Sequence, residues 1–289
     1  MHSPTVAVAL TLLCAALAAP AQAACLSDAA VAAMVDAYNA RTPAANPDAL
    51  STPDGECSRD KLNRLLELRL GVPVGFKAGL TNPAVQKRFN HDAPVWGALY
   101  GPMLLAHGAT VEPGFGARPL FESDLLVRVA DTAVNQARTP HEVLDALDQI
   151  VPFIELPDLV VQNPTQLNGA AIAAINVGAR LGVTGTPLAV PATRAERYQL
   201  LDALRDMVVI VKGDGVEIDR GKGSDVLEHP LNAVVWLAKD LARSGRSLKK
   251  GDLVSLGSFS RLMPPRPGLA VEVVYLGLPG SPSVGMRFK

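Results

Sequence analysis

Two apolar, strand-like runs that carry acids constrain this chain more than any other feature. The first is Pro119-Leu-Phe-Glu-Ser-Asp-Leu-Leu-Val-Arg-Val129, in which one residue separates Glu122 from Asp124. A β-strand sends residues i and i+2 to the same face, so the two carboxylates stand side by side. Flanked by Leu, Val and Phe, they repel each other and lose hydration unless a cation sits between them. The second run, Val151-Pro-Phe-Ile-Glu-Leu-Pro-Asp-Leu-Val-Val161, places Glu155 in the same kind of setting. Three acids from two strands make an oxygen-only donor set, which suits Mg²⁺ or Mn²⁺ better than Zn²⁺. Spacing alone leaves the alternative open that these acids face solvent, as strand acids often do.

The N-terminus reads as a targeting segment rather than as part of the fold. Val6 to Ala19 is a short apolar stretch, followed by the small-x-small pattern Ala21-Gln22-Ala23. We read 1–23 as a secretory signal cut after Ala23, with a periplasmic or secreted mature chain. The apolar core is short for a membrane span. Gln22 stands where a lipoprotein signal would carry an apolar residue, which argues against a lipid anchor on Cys25. No membrane contact is therefore expected after cleavage. The remainder divides into a helical segment over 24–71 and a larger catalytic domain over 72–289.

Hydrophobic residues make up 48% of the chain and charged ones 19%, a balance that buries a sizeable core and excludes a disordered chain. The formal net charge of −1 gives no electrostatic footing for nucleic acid or an anionic membrane. Of the three cysteines, Cys14 falls in the signal. Cys25 and Cys57 remain, an even pair that in an oxidising compartment reads as a disulfide. Two buried free thiols are the alternative. Neither the cysteines nor His91, His107, His141 and His229 have the spacing of a zinc framework.

Along the chain, Asp28 to Ala40 reads as a helix, Thr42 to Glu56 as a surface loop, and Ser58 as the cap of a second helix ending at Leu70. From Val72 short strands alternate with Gly and Pro. Gly75-Phe-Lys-Ala-Gly-Leu-Thr81 sets Lys77 among apolar neighbours, where its pKa would fall toward a value useful for proton transfer; a solvated lysine tip is the bland alternative. Thr139-Pro-His-Glu142 opens a helix to about Ile150, and Thr193 to Glu196 opens another to about Asp206. Met207 to Ile218 reads as a hairpin turning at Gly213-Asp-Gly215, and His229 to Arg243 as an amphipathic helix closed by Gly245. No phosphate-cradling glycine loop, nucleophile elbow or internal repeat is present.

The order of these pieces resembles the 2-oxo-4-pentenoate hydratase branch of the fumarylacetoacetate hydrolase superfamily. The matching stretches are Gly75–Thr81, the Glu-x-Asp of 122–124, Glu155, Gly223 to Leu237 with its His-Pro-Leu-Asn-Ala-Val-Val-Trp-Leu core, Lys250-Gly-Asp-Leu-Val254, and the closing Gly280 to Phe288. Together they run from about Leu62 to the C-terminus. The resemblance implies a mixed α/β fold, a fumarylacetoacetate hydrolase-like β-roll with flanking helices, here preceded by the small helical segment. It implies a divalent ion held by Glu122, Asp124 and Glu155, a small 2-oxo acid or its dienol as substrate, Lys77 as the proton-transfer group, and a homo-oligomer. Three positions depart from the family pattern. Asp124 replaces a glutamate but keeps a hard oxygen donor. Pro94-Val-Trp-Gly97 carries Val95 where hydratases of the branch have an acid. Asn168-Gly-Ala-Ala171 lacks the acid and hydroxyl of the family's Asp-Asn-Ala-Ser. The last two weaken water addition more than they weaken 2-oxo acid recognition. Tautomerisation, decarboxylation and non-catalytic 2-oxo acid binding are therefore the rival expectations.

Overall fold

The structure is a computed structural model that describes residues 25–289. The signal expected over 1–23 lies outside the described residues. The chain opens with α1 (Asp28–Ala40) and α2 (Thr52–Leu70), then β1 (Pro73–Gly79), α3 (Pro83–Arg88), β2 (Val95–Tyr100), β3 (Leu104–Ala106), β4 (Thr110–Val111) and β5 (Glu122–Val129). It continues through α4 (Pro140–Asp145), β6 (Leu147–Leu156), α5 (Gly169–Ala174), β7 (Leu181–Thr184), β8 (Leu188–Ala189), α6 (Arg194–Asp206), β9 (Val208–Gly213) and β10 (Val216–Lys222). It closes with α7 (Asn232–Arg243), β11 (Leu253–Ser255), β12 (Ala270–Leu276) and β13 (Ser283–Phe288).

The strands form two sheets. The larger runs β2-β1-β11-β5-β6-β7-β3 with β8 added to β6, and the smaller runs β10-β9-β12-β13-β4. The main core lies between them and under α7, whose Val234, Leu237 and Leu241 are fully buried. Burying each such side chain contributes about 1.5–3 kcal/mol. A second apolar cluster joins Val31, Leu62 and Leu66 of the first two helices to Leu159, Ile172 and Val177. The mixed α/β fold expected from the sequence is the one observed.

Local chemistry moved some boundaries. The second helix begins at Thr52, not after Ser58, because Ser51 and Asp54 make a reciprocal capping box with Pro53 in the first turn. Ser58 is inside that helix, where its hydroxyl donates to the Asp54 carbonyl at 2.7 Å and accepts from Leu26 N. The helix opened by Thr139 stops at Asp145, because the Leu147–Leu156 run is taken into the sheet as β6. The pair Cys25–Cys57 is disulfide-bonded, with Cα atoms 5.6 Å apart. Among the described residues no helix is long and apolar enough to cross a membrane.

Candidate active site

Antiparallel pairing of β5 with β6 places Glu122 directly across from Glu155, and Asp124 across from Phe153. Two strands away, β1 pairs with β11 so that Lys77 lies beside Ser255, and β11 in turn pairs with β5. The Lys77 ammonium donates to Glu155 Oε1 and, at 3.0 Å, to the Val177 carbonyl. Lys77 and Glu155 are each only 3% exposed, so this is an ion pair withdrawn from water.

An unusual backbone turn presents that carbonyl. Asn176, Val177 and Gly178 follow one another with φ of 54°, 54° and 66°. The left-handed region suits glycine and tolerates asparagine, but strains a β-branched residue. The turn is held by Asn176, whose Oδ1 accepts from Ala98 N at 2.7 Å and whose Nδ2 donates to Ala98 O at 3.0 Å. Gly79 makes room for it: a Cβ there would stand 2.4 Å from Val177 Cγ1.

The acids occupy three different settings. Glu122 is half-buried on the wall of a cavity, hydrogen-bonded to Ser258. Burial first, and the charge of Glu155 second, push its carboxyl well above the usual carboxylate range. Asp124 is fully buried, and burial followed by the Glu155 charge pushes it up to about 7, against the opposing pull of its hydrogen bonds. Its Oδ1 accepts from the backbone N–H groups of Leu125, Leu256 and Gly257, while Oδ2 accepts from Ser255 Oγ. Asp124 therefore also straps β5 to the end of β11. Tyr275 secures the same region from below, its hydroxyl donating to the Asp124 carbonyl and accepting from Phe153 N at 3.1 Å.

The four residues singled out in the sequence thus share one buried region. Among the described residues, no three His, Cys, Asp or Glu side chains are gathered as a ready metal cage. Glu155 is turned to Lys77 and Asp124 to the backbone. The donor set nevertheless fits a divalent ion in kind and charge: three carboxylates, were all ionised, would outnumber the one ammonium by two charges, which burial disfavours and a divalent cation would balance. Hard oxygens with that charge suit Mg²⁺ or Mn²⁺. Sequence reading did not find Ser255, Ser258, Asn176 or Tyr275. Only Asn176-Val-Gly178 carried a local signal, a turn-prone Asn and Gly around a valine.

Lys77, Glu122 and Ser258 line a cavity of about 310 Å³, whose walls include Leu80, Phe89, Leu159, Ile172 and Val177. The position of Val95 on β2 is 6% exposed and packed in the second apolar cluster, and Ala171 on α5 is 3% exposed in the same cluster. Neither the acid nor the hydroxyl of the hydratase pattern is replaced from within those two positions.

The two-sheet fold, with its buried lysine–carboxylate pair, is similar to the fumarylacetoacetate hydrolase-like fold that the sequence resemblance implied. No protein-family model matches the chain. It is 29% identical over 205 residues to 2-keto-4-pentenoate hydratase 1 of Dechloromonas aromatica (strain RCB), covering 71% of this chain and 74% of that one. It is 27% identical over 228 residues to 4-oxalocrotonate decarboxylase of Pseudomonas putida, covering 79% and 82%. In fold it is similar to 4-oxalocrotonate decarboxylase from Pseudomonas putida G7 complexed with magnesium and adipate, with a TM-score of 0.76, 24% identity, and coverage of 91% of this chain and 98% of that one. A more distant likeness, TM-score 0.53 at 14% identity over 74% and 88% of the two chains, is to fumarylpyruvate hydrolase from Pseudomonas aeruginosa in complex with Mn²⁺ and pyruvate. The resemblance to the hydratase branch is borne out by these relatives, and the fold class by these structures.

Proposed function

We propose that the chain is an exported, Mg²⁺- or Mn²⁺-dependent lyase of the hydratase type, acting on a small 2-oxo acid or its dienol. The observation that carries this reading is the buried Lys77–Glu155 ion pair, whose lysine lines, with Glu122, a cavity walled in part by Leu80, Phe89, Leu159, Ile172 and Val177. The hydratase and decarboxylase names of its relatives support it, as do the magnesium and Mn²⁺ bound in the two structures of similar fold. Glu122, Asp124 and Glu155 would hold the ion. When bound, such an ion supplies positive charge against the 2-oxo oxygen as negative charge develops there.

The chain's own residues account for the rest. Lys77 Nζ, held by Glu155 and the Val177 carbonyl, delivers or removes the proton that interconverts dienol and oxo forms. Leu80, Phe89, Leu159, Ile172 and Val177 give the reacting carbons apolar neighbours on that side of the cavity. Export is supported by the Cys25–Cys57 disulfide, a bond that persists in oxidising compartments.

A second reading, keto–enol tautomerisation, is favoured by Val95 and Ala171. Both are buried among apolar side chains, and isomerisation needs no positioned water. Mixing the purified chain with 2-hydroxypenta-2,4-dienoate, with and without Mg²⁺, separates the two. Metal-dependent formation of 4-hydroxy-2-oxopentanoate, seen by NMR, supports the hydratase. Accelerated appearance of the keto isomer alone supports the tautomerase. Turnover that survives in Glu155→Gln without metal would overturn both.

A further inference from the structure

We infer that Asn176 is a positioning residue for Lys77: its side chain docks the left-handed turn 176–178 on the open edge of β2, and the docked turn holds the ammonium through the Val177 carbonyl. The effect on turnover rests on the proton-transfer reading of Lys77 above; the docking itself does not.

β2 ends the larger sheet and pairs with a strand on one side only, β1. An edge strand leaves backbone N–H and C=O groups without a strand partner. At Ala98, which is buried, both are met by the Asn176 amide, which accepts from the N–H at 2.7 Å and donates to the C=O at 3.0 Å. One side chain thus supplies the pair of bonds that a further strand would give. Asn176 is itself 1% exposed, so cutting either bond leaves a buried polar group unpaired.

The sheet is cut away beneath the turn. Lys77 stands across from Gly97, and Gly79 follows it by two residues in β1, so all three project to the same face. A Cβ on Gly97 would lie 2.4 Å from the Asn176 carbonyl oxygen, as one on Gly79 would from Val177 Cγ1. The turn seats against both glycines, with the Lys77 side chain rising between them and Nζ 3.0 Å from the Val177 carbonyl oxygen. Val177 adopts φ 54° and ψ 30°, a conformation that a β-branched residue keeps only where its surroundings enforce it. The far end of the turn is anchored separately, the Gly178 carbonyl accepting from Asp158 N at 2.9 Å. Loss of the Asn176 amide therefore frees the end that faces Lys77 and leaves the other attached.

The test uses the full purified chain, isotope-labelled at the lysine side-chain nitrogens, in NMR. Ammonium protons of exposed lysines exchange with water too fast to be seen, whereas those of a buried, hydrogen-bonded group are protected. The wild type should show a protected ammonium signal, assigned by its loss in Lys77→Met. Asn176→Gly, which accepts the same backbone but has no amide, should lose that signal while its backbone spectrum stays that of the folded chain. With 2-hydroxypenta-2,4-dienoate and Mg²⁺ it should lower kcat about tenfold or more and leave KM within about twofold, because the acids and the cavity walls are unchanged. Asn176→Asp, which keeps the acceptor for Ala98 N, should fall between the wild type and Asn176→Gly in both readouts. A wild type without a protected ammonium, or an Asn176→Gly chain that keeps the wild-type signal or kcat, overturns the proposal. So does a kcat that falls only in proportion to the folded fraction, the mark of an asparagine that serves stability alone. A wild type that shows the signal but turns over no dienol overturns the proton-transfer reading, and the signal in Asn176→Gly then decides the docking by itself.

Discussion

The ammonium of Lys77 is fixed from two directions, by a carboxylate and by the carbonyl of a strained turn. Removing it should have two separable effects. Lys77→Met should lower turnover of the dienol about a hundredfold or more, the usual worth of a positioned proton-transfer group. It should also lower the urea midpoint of the metal-free chain, because Glu155 is left buried without its cation, a loss of about 3–5 kcal/mol. Unchanged turnover would remove Lys77 from the chemistry. A second residue makes a pH prediction. His229 Nδ1 accepts from Leu231 N and Nε2 faces the Leu201 carbonyl, an arrangement only the neutral ring satisfies. Burial, the largest cause, holds its pKa below the ordinary 6.5. The folded chain therefore binds this proton less readily than the unfolded chain. The stability contributed is fully present above pH 6.5 and is lost as pH falls through that value toward the lowered one. His229→Asn, which retains a short acceptor, should flatten this part of the stability profile in urea titrations at successive pH values.

At the scale of elements, Glu122, Asp124 and Glu155 were legible because strand alternation alone dictates which side chains share a face, and the register of β5 on β6 then put Glu122 opposite Glu155. What could not be read was long-range. The Asn176 turn meets Ala98 across 78 residues, and Asp124 reaches Ser255 across 131. No local pattern records such contacts. The start of α2 was misread for a different reason: two serines compete as caps, and Ser51 prevails because Asp54 completes the box while Ser58 is turned inward. The short αβ passage after Thr139 shows the sheet overriding a helix signal once β6 has a partner on each side. The disulfide ties the segment before α1 to α2 across a sequence separation of 32. On the chain-entropy model, closing such a loop contributes about 3–4 kcal/mol. The double variant Cys25→Ser, Cys57→Ser should show a loss of that order in urea unfolding, and an unchanged midpoint would contradict a structural role for the bond.

For the whole molecule, two curled sheets and α7 make one framework that holds Asp124, Glu155 and Lys77 away from water and Glu122 half-buried at the cavity wall. That framework bears a cost in its metal-free form, since Glu122 and Asp124 resist ionisation there. On the proposed reading a bound divalent ion would offset the cost, so Mg²⁺ should raise the unfolding midpoint, and more at pH 8 than at pH 6, where protons compete for the same carboxylates. A rise that is equal at both pH values would place the ion elsewhere. The most direct check on the central claim is a titration of Mn²⁺ into the purified chain, followed by electron paramagnetic resonance of the free ion. The predicted result is one saturable site per chain in the wild type, lost in Glu122→Gln and in Glu155→Gln. Mn²⁺ that stays free with the wild type, or binding that both variants retain, would contradict it.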